Sequence, residues 1–496
     1  MRTLMGHWSG QDAEKAICGH LWERHYLLAR QPCLRAAQAG LMSSVAEDWS
    51  ERSSPGALGA SHPIHNFRLY SFSILLFGLL AALALAAPSK PSTIQKRSFK
   101  VNRVRSTTFK GRNGPKQLYK AYSKYKMPVP AALMDAINNQ QQAAAAAPVS
   151  LATKGKGAIS NVTRPAGNGT GVVVNKPEDL DVEYIIPIVI GNQTVLVDPD
   201  SGSADLWVFS TQLPAAAQAN RAVFNPAKST TFQAMQGATF TISYGDGSGA
   251  KGNVGTDVVT VGGVSVPNQT VELATAVSSS FVEDTGSSGL LGLCFSVLNT
   301  VTPQKQTTWF ENVMPSLAEP VFTADLRHNA PGAYEFGRVD TTKFTGPMTW
   351  VPVNPANGFW QFSTSGYAVG TNAKTTVKTA QAIADTGTTL LLVSPEVSSA
   401  YYAKIPGAKN DAEQGGMTIP CKSTLPDLML DVGGVYMAKV KGSDINFAPI
   451  DQAGNTCFGG VQPTTSSLQI WGDIFFKSQF VAFNGGNKSL GMAQHV

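Results

Sequence analysis

The feature that most constrains the fold is an internal repeat of two short acidic motifs, Asp200-Ser-Gly-Ser203 and Asp385-Thr-Gly-Thr388. The apolar segment Gly289-Leu-Leu-Gly-Leu293 begins 89 residues after Asp200, and Ile470-Trp-Gly-Asp-Ile474 begins 85 residues after Asp385. A single Asp-x-Gly triplet is a common turn. Because the pair recurs with similar partners at similar spacing, it predicts two homologous β lobes, each presenting one carboxylate at a tight turn.

The residues around both motifs are typical of short strands. From about Glu183 the chain consists of β-branched and aromatic runs punctuated by glycine, with no alternation of strands and long helices. The expected class is mainly β, with a short helix near Pro395–Tyr402. The strands predicted by this pattern are Tyr184–Ile190, Thr194–Val197, Leu206–Phe209, Thr239–Ser243, Asp257–Val261 and Gln269–Leu273.

Two such turns placed face to face would bring their carboxyl groups together. Like charges a few ångströms apart do not both ionise readily, so the pair shares a proton and its pKa values split. The ionised member can then act as general base on a bound water, while the protonated member donates to a scissile carbonyl. The repeat therefore permits hydrolysis by an activated water, and no covalent intermediate is needed.

Other hydrolytic chemistries have little support. From residue 157 onward the only histidines are His328 and His495, and neither lies in a metal-binding pattern such as H-E-x-x-H. We expect both on the surface. A serine, cysteine or zinc mechanism would need one of them, so we expect no metal and no cofactor.

Charge divides the chain into a basic first part and an acidic body. Residues 1–156 carry 21 Lys and Arg against 7 Asp and Glu, whereas residues 157–496 carry 18 against 26. A basic arm can bind nucleic acid, but this one lacks aromatic stacking runs and any recognisable binding module. We expect instead that it docks on its own acidic body.

Residues 69–87 have the pattern of a secretory signal peptide. Phe72–Ala87 is apolar, is preceded by Arg68, and ends in the small residues Ala84-Leu85-Ala86. The run is short for a membrane span. The alternative is an uncleaved signal anchor, and residues 1–68 are either genuine or an upstream extension from an incorrect gene model.

The remaining segments follow from composition. Between Pro88 and Lys126 there are twelve Lys or Arg and no acidic residue, and a polyalanine tract and a polar, Gly-rich stretch come next. We call residues 88–156 the leader, and expect it to be a propeptide and linker with processing points at Lys96-Arg97 or Lys154 and Lys156. The expected lobes of the body are 157–345 and 346–496.

From Glu183 to Gln494 the sequence resembles the pepsin family of aspartic endopeptidases, in particular its fungal aspergillopepsin and penicillopepsin branch. The resemblance implies a bilobal fold of two β-barrel-like lobes with the active cleft between them, a monomer, protein and peptide substrates, and secretion, with a vacuolar location as the alternative. The segments that carry it are Ser203-Ala-Asp-Leu-Trp-Val-Phe-Ser210, Ser243-Tyr-Gly-Asp-Gly-Ser248, Thr300-Val-Thr-Pro-Gln304 and Ile383-Ala-Asp-Thr-Gly-Thr-Thr-Leu390.

The resemblance assigns a role to each member of the repeat. It makes Asp200 and Asp385 the catalytic pair. Ser203 and Thr388 would hydrogen-bond their outer oxygens. The supporting residues of the two turns are Gly202 and Gly387.

The same resemblance places a β-hairpin flap over the cleft. Tyr244 would lie at its tip with Trp207 as hydrogen-bond partner, unless Tyr244 is a core aromatic at a strand end. Gly245 and Ser248 belong to the mobile turn, whose closure would exclude water. Asp246 resembles the flap acid associated with accepting Lys at P1; the alternative is a solvated turn residue.

Lys124-Tyr125 resembles the pair with which the propeptide blocks the cleft in such zymogens, although Lys124 is one of many lysines there. An ammonium beside two carboxylates would hold the leader at neutral pH and release it in acid. Cys421 and Cys457 match a family disulfide, whose 36-residue interval could stabilise the fold by roughly 4 kcal/mol. Cys294 is expected to be a buried free thiol. Five glycosylation sequons agree with secretion: Asn161, Asn168, Asn192, Asn268 and Asn487.

Pro199 departs from the family pattern, which has an aromatic residue there. It removes a backbone donor from the strand that leads into the first acidic turn, so it could shift Asp200 and lower activity. Two other functions therefore stay open: a catalytically weak binding protein of pepsin fold, and a carboxylate-pair glycosidase, which the symmetric motifs disfavour.

Overall fold

A computed structural model describes residues 96–102, 112–146, 184–243, 249–328, 330, 332–451 and 453–496, and the side chains of 112–143 within the second range. The predicted signal peptide (69–87), residues 1–68, the processing point at Lys154 and Lys156, and the sequons at Asn161 and Asn168 lie outside the described residues. So does the predicted flap tip, residues 244–248.

The described chain is dominated by strands. They are β1 (Phe99–Asn102), β2 (Ile186–Ile190), β3 (Gln193–Asp200), β4 (Leu206–Phe209), β5 (Gln233–Ser243), β6 (Gly249–Val261), β7 (Val264–Val277), β8 (Gly289–Gly292), β9 (Val321–Asp325), β10 (Ala333–Phe336), β11 (Phe344–Pro352), β12 (Gln361–Val369), β13 (Thr375–Ala384), β14 (Leu391–Val393), β15 (Lys409–Asp411), β16 (Gly416–Pro420), β17 (Leu428–Val432), β18 (Tyr436–Val440), β19 (Asn446–Pro449), β20 (Thr456–Gly459), β21 (Val461–Pro463), β22 (Leu468–Trp471), β23 (Gln479–Asn484) and β24 (Ser489–His495).

Helices are short, apart from two in the leader. They are α1 (Gly114–Lys124), α2 (Ala131–Ala146), α3 (Ala215–Gln218), α4 (Ser279–Glu283), α5 (Trp309–Val313), α6 (Pro395–Tyr402), α7 (Gly442–Ile445) and α8 (Asp473–Phe476). Single 3₁₀ turns span Pro226–Lys228, Ser296–Leu298, Met314–Ser316, Thr341–Lys343 and Pro355–Asn357. Among the helices that the structure describes, none combines the length and the hydropathy that a membrane crossing requires.

Two seven-stranded sheets repeat one arrangement. The first has the order β2-β3-β8-β4-β7-β6-β5 and the second the order β18-β17-β12-β13-β22-β14-β21. In the first, β3 runs parallel to β8, so that Asp200 lies beside Gly292. In the second, β13 runs parallel to β22, so that Ala384 lies beside Trp471. Each acidic motif thus follows a strand that pairs with the apolar segment expected from the repeat, and the mainly β, bilobal fold is confirmed.

A six-stranded sheet of order β1-β10-β9-β23-β24-β11 joins the leader to both halves of the body. Its edge strand β1 belongs to the leader and pairs with β10 from Phe99↔Phe336 to Asn102↔Ala333. The Phe99 ring stacks on Phe336 at 5.1 Å and meets the edge of Trp309 at 6.2 Å. The leader is therefore part of the folded body.

The remaining sheet has four strands in the order β15-β16-β20-β19. The chain leaves β16 at Cys421, beside β20, and a disulfide joins Cys421 to Cys457. Cys294 is a free, buried thiol that donates to the Ser201 carbonyl, at an S···O distance of 2.8 Å. Both cysteine expectations agree with the described structure.

The surface position expected for His495 is wrong. Its side chain is buried at the end of β24, where Nε2 lies 2.9 Å from the Phe476 carbonyl and Nδ1 lies 3.4 Å from Asp325 Oδ1. The antiparallel pairing of β24 with β23 draws the C-terminus into the six-stranded sheet, which proximity to the chain end did not suggest. His328, in contrast, has a side chain that is 39% exposed.

A second buried carboxyl pair lies at the first seven-stranded sheet. Asp205 precedes β4 and Glu272 is in β7, and the two carboxyl groups share the side-chain amide of Asn299. Asn299 Nδ2 donates to Asp205 Oδ1 (2.9 Å) and to Glu272 Oε1 (3.0 Å), and the Thr300 amide donates to Asp205 (2.7 Å). Burial raises the pKa of Asp205, and burial together with repulsion from Asp205 raises the pKa of Glu272.

This pair predicts that stability falls as the pH rises. The folded pKa values are raised, so the unfolded chain loses protons above about pH 4 while the buried pair retains them. Glu272→Gln keeps the shape of the side chain and removes one titrating group. The fall in unfolding free energy between pH 5 and pH 7 should therefore be about 1–2 kcal/mol smaller in this variant than in the parent. Urea unfolding at pH 5 and pH 7 measures this, with exposed Glu319→Gln as control. Parallel pH profiles for the parent and Glu272→Gln would contradict it.

Candidate active site

The two acidic turns have matching geometry. The amide of Gly202 donates to Asp200 Oδ1 at 2.8 Å, and the amide of Gly387 donates to Asp385 Oδ1 at 2.9 Å. Ser203 Oγ donates to Asp200 Oδ2 at 2.6 Å, and a Thr388 hydroxyl donates to Asp385 Oδ2. Each carboxylate is therefore oriented by one hydroxyl donor, as the sequence analysis expected, and by one backbone donor, which it did not name.

Hydroxyl residues at the second position of each motif, Ser201 and Thr386, connect the two turns by hydrogen bonds. The Ser201 amide donates to Thr386 Oγ1 (3.0 Å), and the Thr386 amide donates to Ser201 Oγ (2.9 Å). Each hydroxyl then donates across to the other strand, Ser201 Oγ to the Ala384 carbonyl (2.9 Å) and Thr386 Oγ1 to the Pro199 carbonyl (2.8 Å). The sequence argument assigned these two residues no role, although a hydroxyl at the same place in both motifs was the available signal.

Glycine is required in both turns by close approach. A Cβ on Gly202 would overlap the Tyr125 hydroxyl and the Asp385 carboxylate. A Cβ on Gly387 would overlap the Asp200 carboxylate. Since both carboxylates are completely buried, a larger residue at either position would push the pair apart.

Pro199 is accommodated in β3 without disturbing this symmetry. It lies beside Leu291 in the parallel pairing of β3 with β8. Its carbonyl accepts hydrogen bonds from Thr386 Oγ1 and, at 3.3 Å, from the Tyr334 hydroxyl. The hydrogen bonds of the Asp200 carboxylate match those of Asp385 to within 0.1 Å at the glycine amides.

Leader residues Lys124 and Tyr125 lie directly on the carboxylate pair. Lys124 Nζ is 2.7 Å from Asp200 Oδ1 and 3.0 Å from both oxygens of Asp385. The Tyr125 hydroxyl donates to Asp385 Oδ2 at 2.5 Å, and its ring meets Phe359 edge-on at 5.7 Å. The Lys124 side chain is only 10% exposed. In this form the two leader residues occupy the space in which a substrate carbonyl and a water would have to bind.

The electrostatic balance differs between the two carboxyl groups. Burial opposes ionisation of Asp200, but attraction to the Lys124 ammonium and the hydrogen bonds from Lys124 and Ser203 together outweigh it and lower the pKa of Asp200. Burial and repulsion from Asp200 together outweigh the attraction of Lys124 at Asp385, so the pKa of Asp385 is raised. Burial alone would lower the pKa of Lys124, but the two carboxylates raise it. Acid therefore acts on the carboxylates and leaves the ammonium charged.

Helix α1 positions Lys124 and Tyr125. Asn113 caps its start by accepting from the Lys116 amide at 2.9 Å, and proline occupies its first turn. One face of the helix packs on the body, and the Tyr122 hydroxyl donates to the Pro463 carbonyl at 2.9 Å. The helix ends at Lys124, which brings the ammonium to the carboxylates.

A pocket opens beside β3, the strand that ends at Asp200, with β4, β8 and the α4 segment as its other walls. Apolar walls come from Trp207 and Phe209 of β4 and from Phe281 of α4, and Asp198 and Asp284 add acidic groups. The leader residue Lys120, one helical turn before Lys124, also lines it. Trp207 Nε1 is buried and has no hydrogen-bond partner within the described residues. The partner expected for it, Tyr244, lies outside them, as do Gly245, Asp246 and Ser248.

No group of three or more His, Cys, Asp or Glu side chains able to hold a metal ion is found in the part of the chain that the structure describes. Two buried carboxyl groups whose pKa values are shifted in opposite directions, each with hydroxyl and amide donors, are suited to general acid–base catalysis on a bound water. This arrangement is what the repeated motifs predict.

Comparisons with known proteins agree with the geometry. A family model described as eukaryotic aspartyl protease matches residues 183–495, which include both acidic turns. Penicillopepsin-3 of Penicillium janthinellum is 42% identical over 428 residues, covering 86% of this chain and 100% of that protein. Endothiapepsin of Cryphonectria parasitica is 42% identical, covering 84% and 98% respectively. Aspergillopepsin-1 of Aspergillus oryzae is also 42% identical, covering 84% and 98%.

Proposed function

The chain belongs to the eukaryotic aspartyl protease family and is an aspartic endopeptidase, and from this premise we propose that it is a secreted acid protease made as a zymogen. The observation that carries the proposal is the meeting of Asp200 and Asp385, completely buried, under a lysine of the chain's own leader. We propose residues 69–87 as signal peptide, 88–156 as propeptide and linker, and 157–345 and 346–496 as the lobes.

In the proposed mechanism the pair acts after Lys124 has left. Without the ammonium, repulsion between two buried carboxylates keeps one proton on the pair. The ionised carboxylate removes a proton from a bound water, and the protonated one donates to the carbonyl oxygen of the scissile bond. The roles reverse as the amine departs. The supporting groups are Gly202, Gly387, Ser203 and Thr388, which orient the four carboxylate oxygens.

We propose that Lys124 and Tyr125 keep the precursor latent by occupying the catalytic centre. Their contacts replace those that water and substrate would make with the carboxylates. The docking is reinforced at a distance by β1 in the six-stranded sheet and by the Tyr122 hydroxyl on Pro463. The release signal is protonation of the carboxylates, because the Lys124 ammonium stays charged in acid and only the carboxylates can change their charge.

This proposal predicts a pH dependence of conversion. The lowered pKa of Asp200 means that its stabilisation of the docked leader is present above about pH 4 and is lost as the pH falls through that lowered value. We expect the leader to persist at pH 6 and to be removed rapidly below about pH 4. Gel time courses of the precursor between pH 2.5 and 6 measure this at several protein concentrations. A conversion rate that is the same across this range would contradict it.

The pocket next to the carboxylates supports a preference for bulky apolar residues. Trp207, Phe209 and Phe281 provide its aromatic surface, while Asp198 and Asp284 could receive a lysine ammonium. Lys120 of the leader also lines this pocket, which agrees with both features. We therefore propose broad cleavage beside hydrophobic residues, with Lys accepted at P1 and Asp246 of the flap as a further acid.

Secretion is proposed from several features of the chain. The 69–87 segment has the signal-peptide pattern, the Cys421–Cys457 bridge suits an oxidising compartment, and three sequon asparagines, Asn192, Asn268 and Asn487, are exposed. We expect cleared casein around secreting cells at acid pH, abolished by a statine-type inhibitor. Clearing that persists with the inhibitor, or none at all, would argue against the proposed function.

A further inference from the structure

One arginine of the body is placed to shape the pocket beside the carboxylates without touching the reacting groups. Arg221 follows α3 and Asn220, whose positive φ of 62° turns the chain. Its guanidinium carbon lies 3.9 Å above the centroid of the Phe209 ring. Phe209 is itself a wall of the pocket. Arg221 therefore packs on Phe209, one of the side chains that form the pocket wall.

The same guanidinium binds three backbone carbonyls of the opposite wall. Nη2 donates to Phe281 (3.1 Å) and Val282 (2.7 Å), and Nη1 donates to Ser287 (3.1 Å). Phe281 and Ser287 line the pocket. One side chain thus fastens both ends of the segment 281–287 to β4.

This segment also makes side-chain contacts, since the Phe281 ring meets Trp207 edge-on at 5.2 Å and Glu283 forms a 3.5 Å ion pair with Lys116 of the leader. Helix α4 has five residues, so its last carbonyls have no partner within the helix. Its outer residues Ser279, Ser280 and Glu283 are exposed. A cation at the C-terminal end of a helix is favourable both as a donor and toward the helix dipole. Arg221 therefore adds three backbone hydrogen bonds to the packing of Phe281, and these bonds stay with the body once the leader and its Lys116 have left.

We infer that Arg221 is a positioning residue that sets the width of this substrate pocket, through the carbonyls of α4 and the ring of Phe209. The inference rests on the proposed function, since the pocket matters only if the cleft binds peptides. Loosening the wall should weaken the binding of large side chains and leave the carboxylate pair unchanged. Lysine cannot replace arginine here, because a single ammonium cannot reach three carbonyls and stack on a ring at once.

The test uses the acid-converted enzyme with a series of peptide substrates. Phe is replaced by Ala at each position on either side of the cleaved bond, and kcat and KM are measured for the parent, Arg221→Met and Arg221→Lys. Both variants should raise KM about tenfold for the Phe peptide, with kcat within about twofold. Discrimination between Phe and Ala should fall about tenfold at one position only. Such a coupling isolates a pairwise effect that a general loss of structure would not produce.

Arg338→Met is the matched control, since Arg338 is an exposed arginine paired with Glu335 and away from the pocket. It should leave KM and discrimination unchanged. The inference is overturned if Arg221→Lys or Arg221→Met discriminates as the parent does at every position, or if kcat falls equally for both peptides. If Arg221→Met does not fold, Arg221→Lys alone decides between these results. A parent that cleaves no peptide would overturn the proposed function instead.

Discussion

Asp385→Asn should lower kcat for peptide hydrolysis by about 10⁴-fold, with little change in the thermal stability of the enzyme after the leader has been removed. An amide can neither take a proton from water nor share one with Asp200, and general acid–base catalysis accounts for up to about that factor. Asp200→Asn should have the same effect, because the roles reverse within one turnover. The parent and both variants need a common release step, so a cleavage site for a specific serine protease placed between residues 157 and 176 should be used in all of them.

Asp340→Asn is the matched control for this experiment. Asp340 is a carboxylate that caps the 3₁₀ turn Thr341–Lys343 by accepting from the Thr342 amide at 3.0 Å, and it lies outside the site. It should retain the kcat of the parent. Retained peptidase activity in both Asp200→Asn and Asp385→Asn would mean that other groups catalyse the reaction.

Lys124→Met should make the precursor unstable as a latent form. Removing one partner from a buried ion pair costs about 3–5 kcal/mol, because the remaining charges are left uncompensated. Without Lys124, burial and mutual repulsion raise the pKa of both carboxyl groups, so they accept protons at higher pH. We expect removal of the leader at pH 5 to be about 100-fold faster than in the parent, since 3 kcal/mol corresponds to about two powers of ten.

The control for Lys124→Met is Lys116→Met on the same helix. Lys116 is 54% exposed and makes only a 3.5 Å ion pair with Glu283. Its loss should hardly change the rate, because exposed pairs contribute little. Tyr125→Phe, which removes one hydrogen bond to Asp385, should give an intermediate rate. Equal rates in Lys124→Met and Lys116→Met would show that the ammonium does not hold the leader.

Much of the site could be predicted from the sequence because its main features are local. Asp-x-Gly followed by a hydroxyl residue defines a turn, and its repetition with similar partners at similar spacing implies that two turns meet. The helix predicted at Pro395–Tyr402 and the strand predicted at Leu206–Phe209 have those bounds in the structure. The strand predicted at Tyr184–Ile190 starts two residues later, at Ile186. The position of Lys124 on the carboxylates also agrees with the prediction, but that prediction depended on a family resemblance.

The features that sequence reasoning missed all depend on contacts between distant segments. Arg221 and Phe281 are 60 residues apart, and Asp205 and Glu272 meet only once β4 pairs with β7. Nothing local distinguishes these residues from ordinary surface charges. The burial of His495 has the same origin, since it follows from the pairing of the last two strands. Pro199 shows the converse, because a locally unfavourable residue fits in β3 while its carbonyl still accepts from Thr386 Oγ1 and the Tyr334 hydroxyl.

The first measurement should be digestion of denatured haemoglobin at about pH 3–4 by protein expressed from Phe67 onward with an added Met. We expect the precursor to lose its leader, then to digest haemoglobin, and a statine-type inhibitor to stop the digestion at a one-to-one ratio. A protein that sheds its leader, stays folded and cuts nothing would contradict the assignment of Asp200 and Asp385 as a working catalytic pair. It would favour a binding protein built on the same fold.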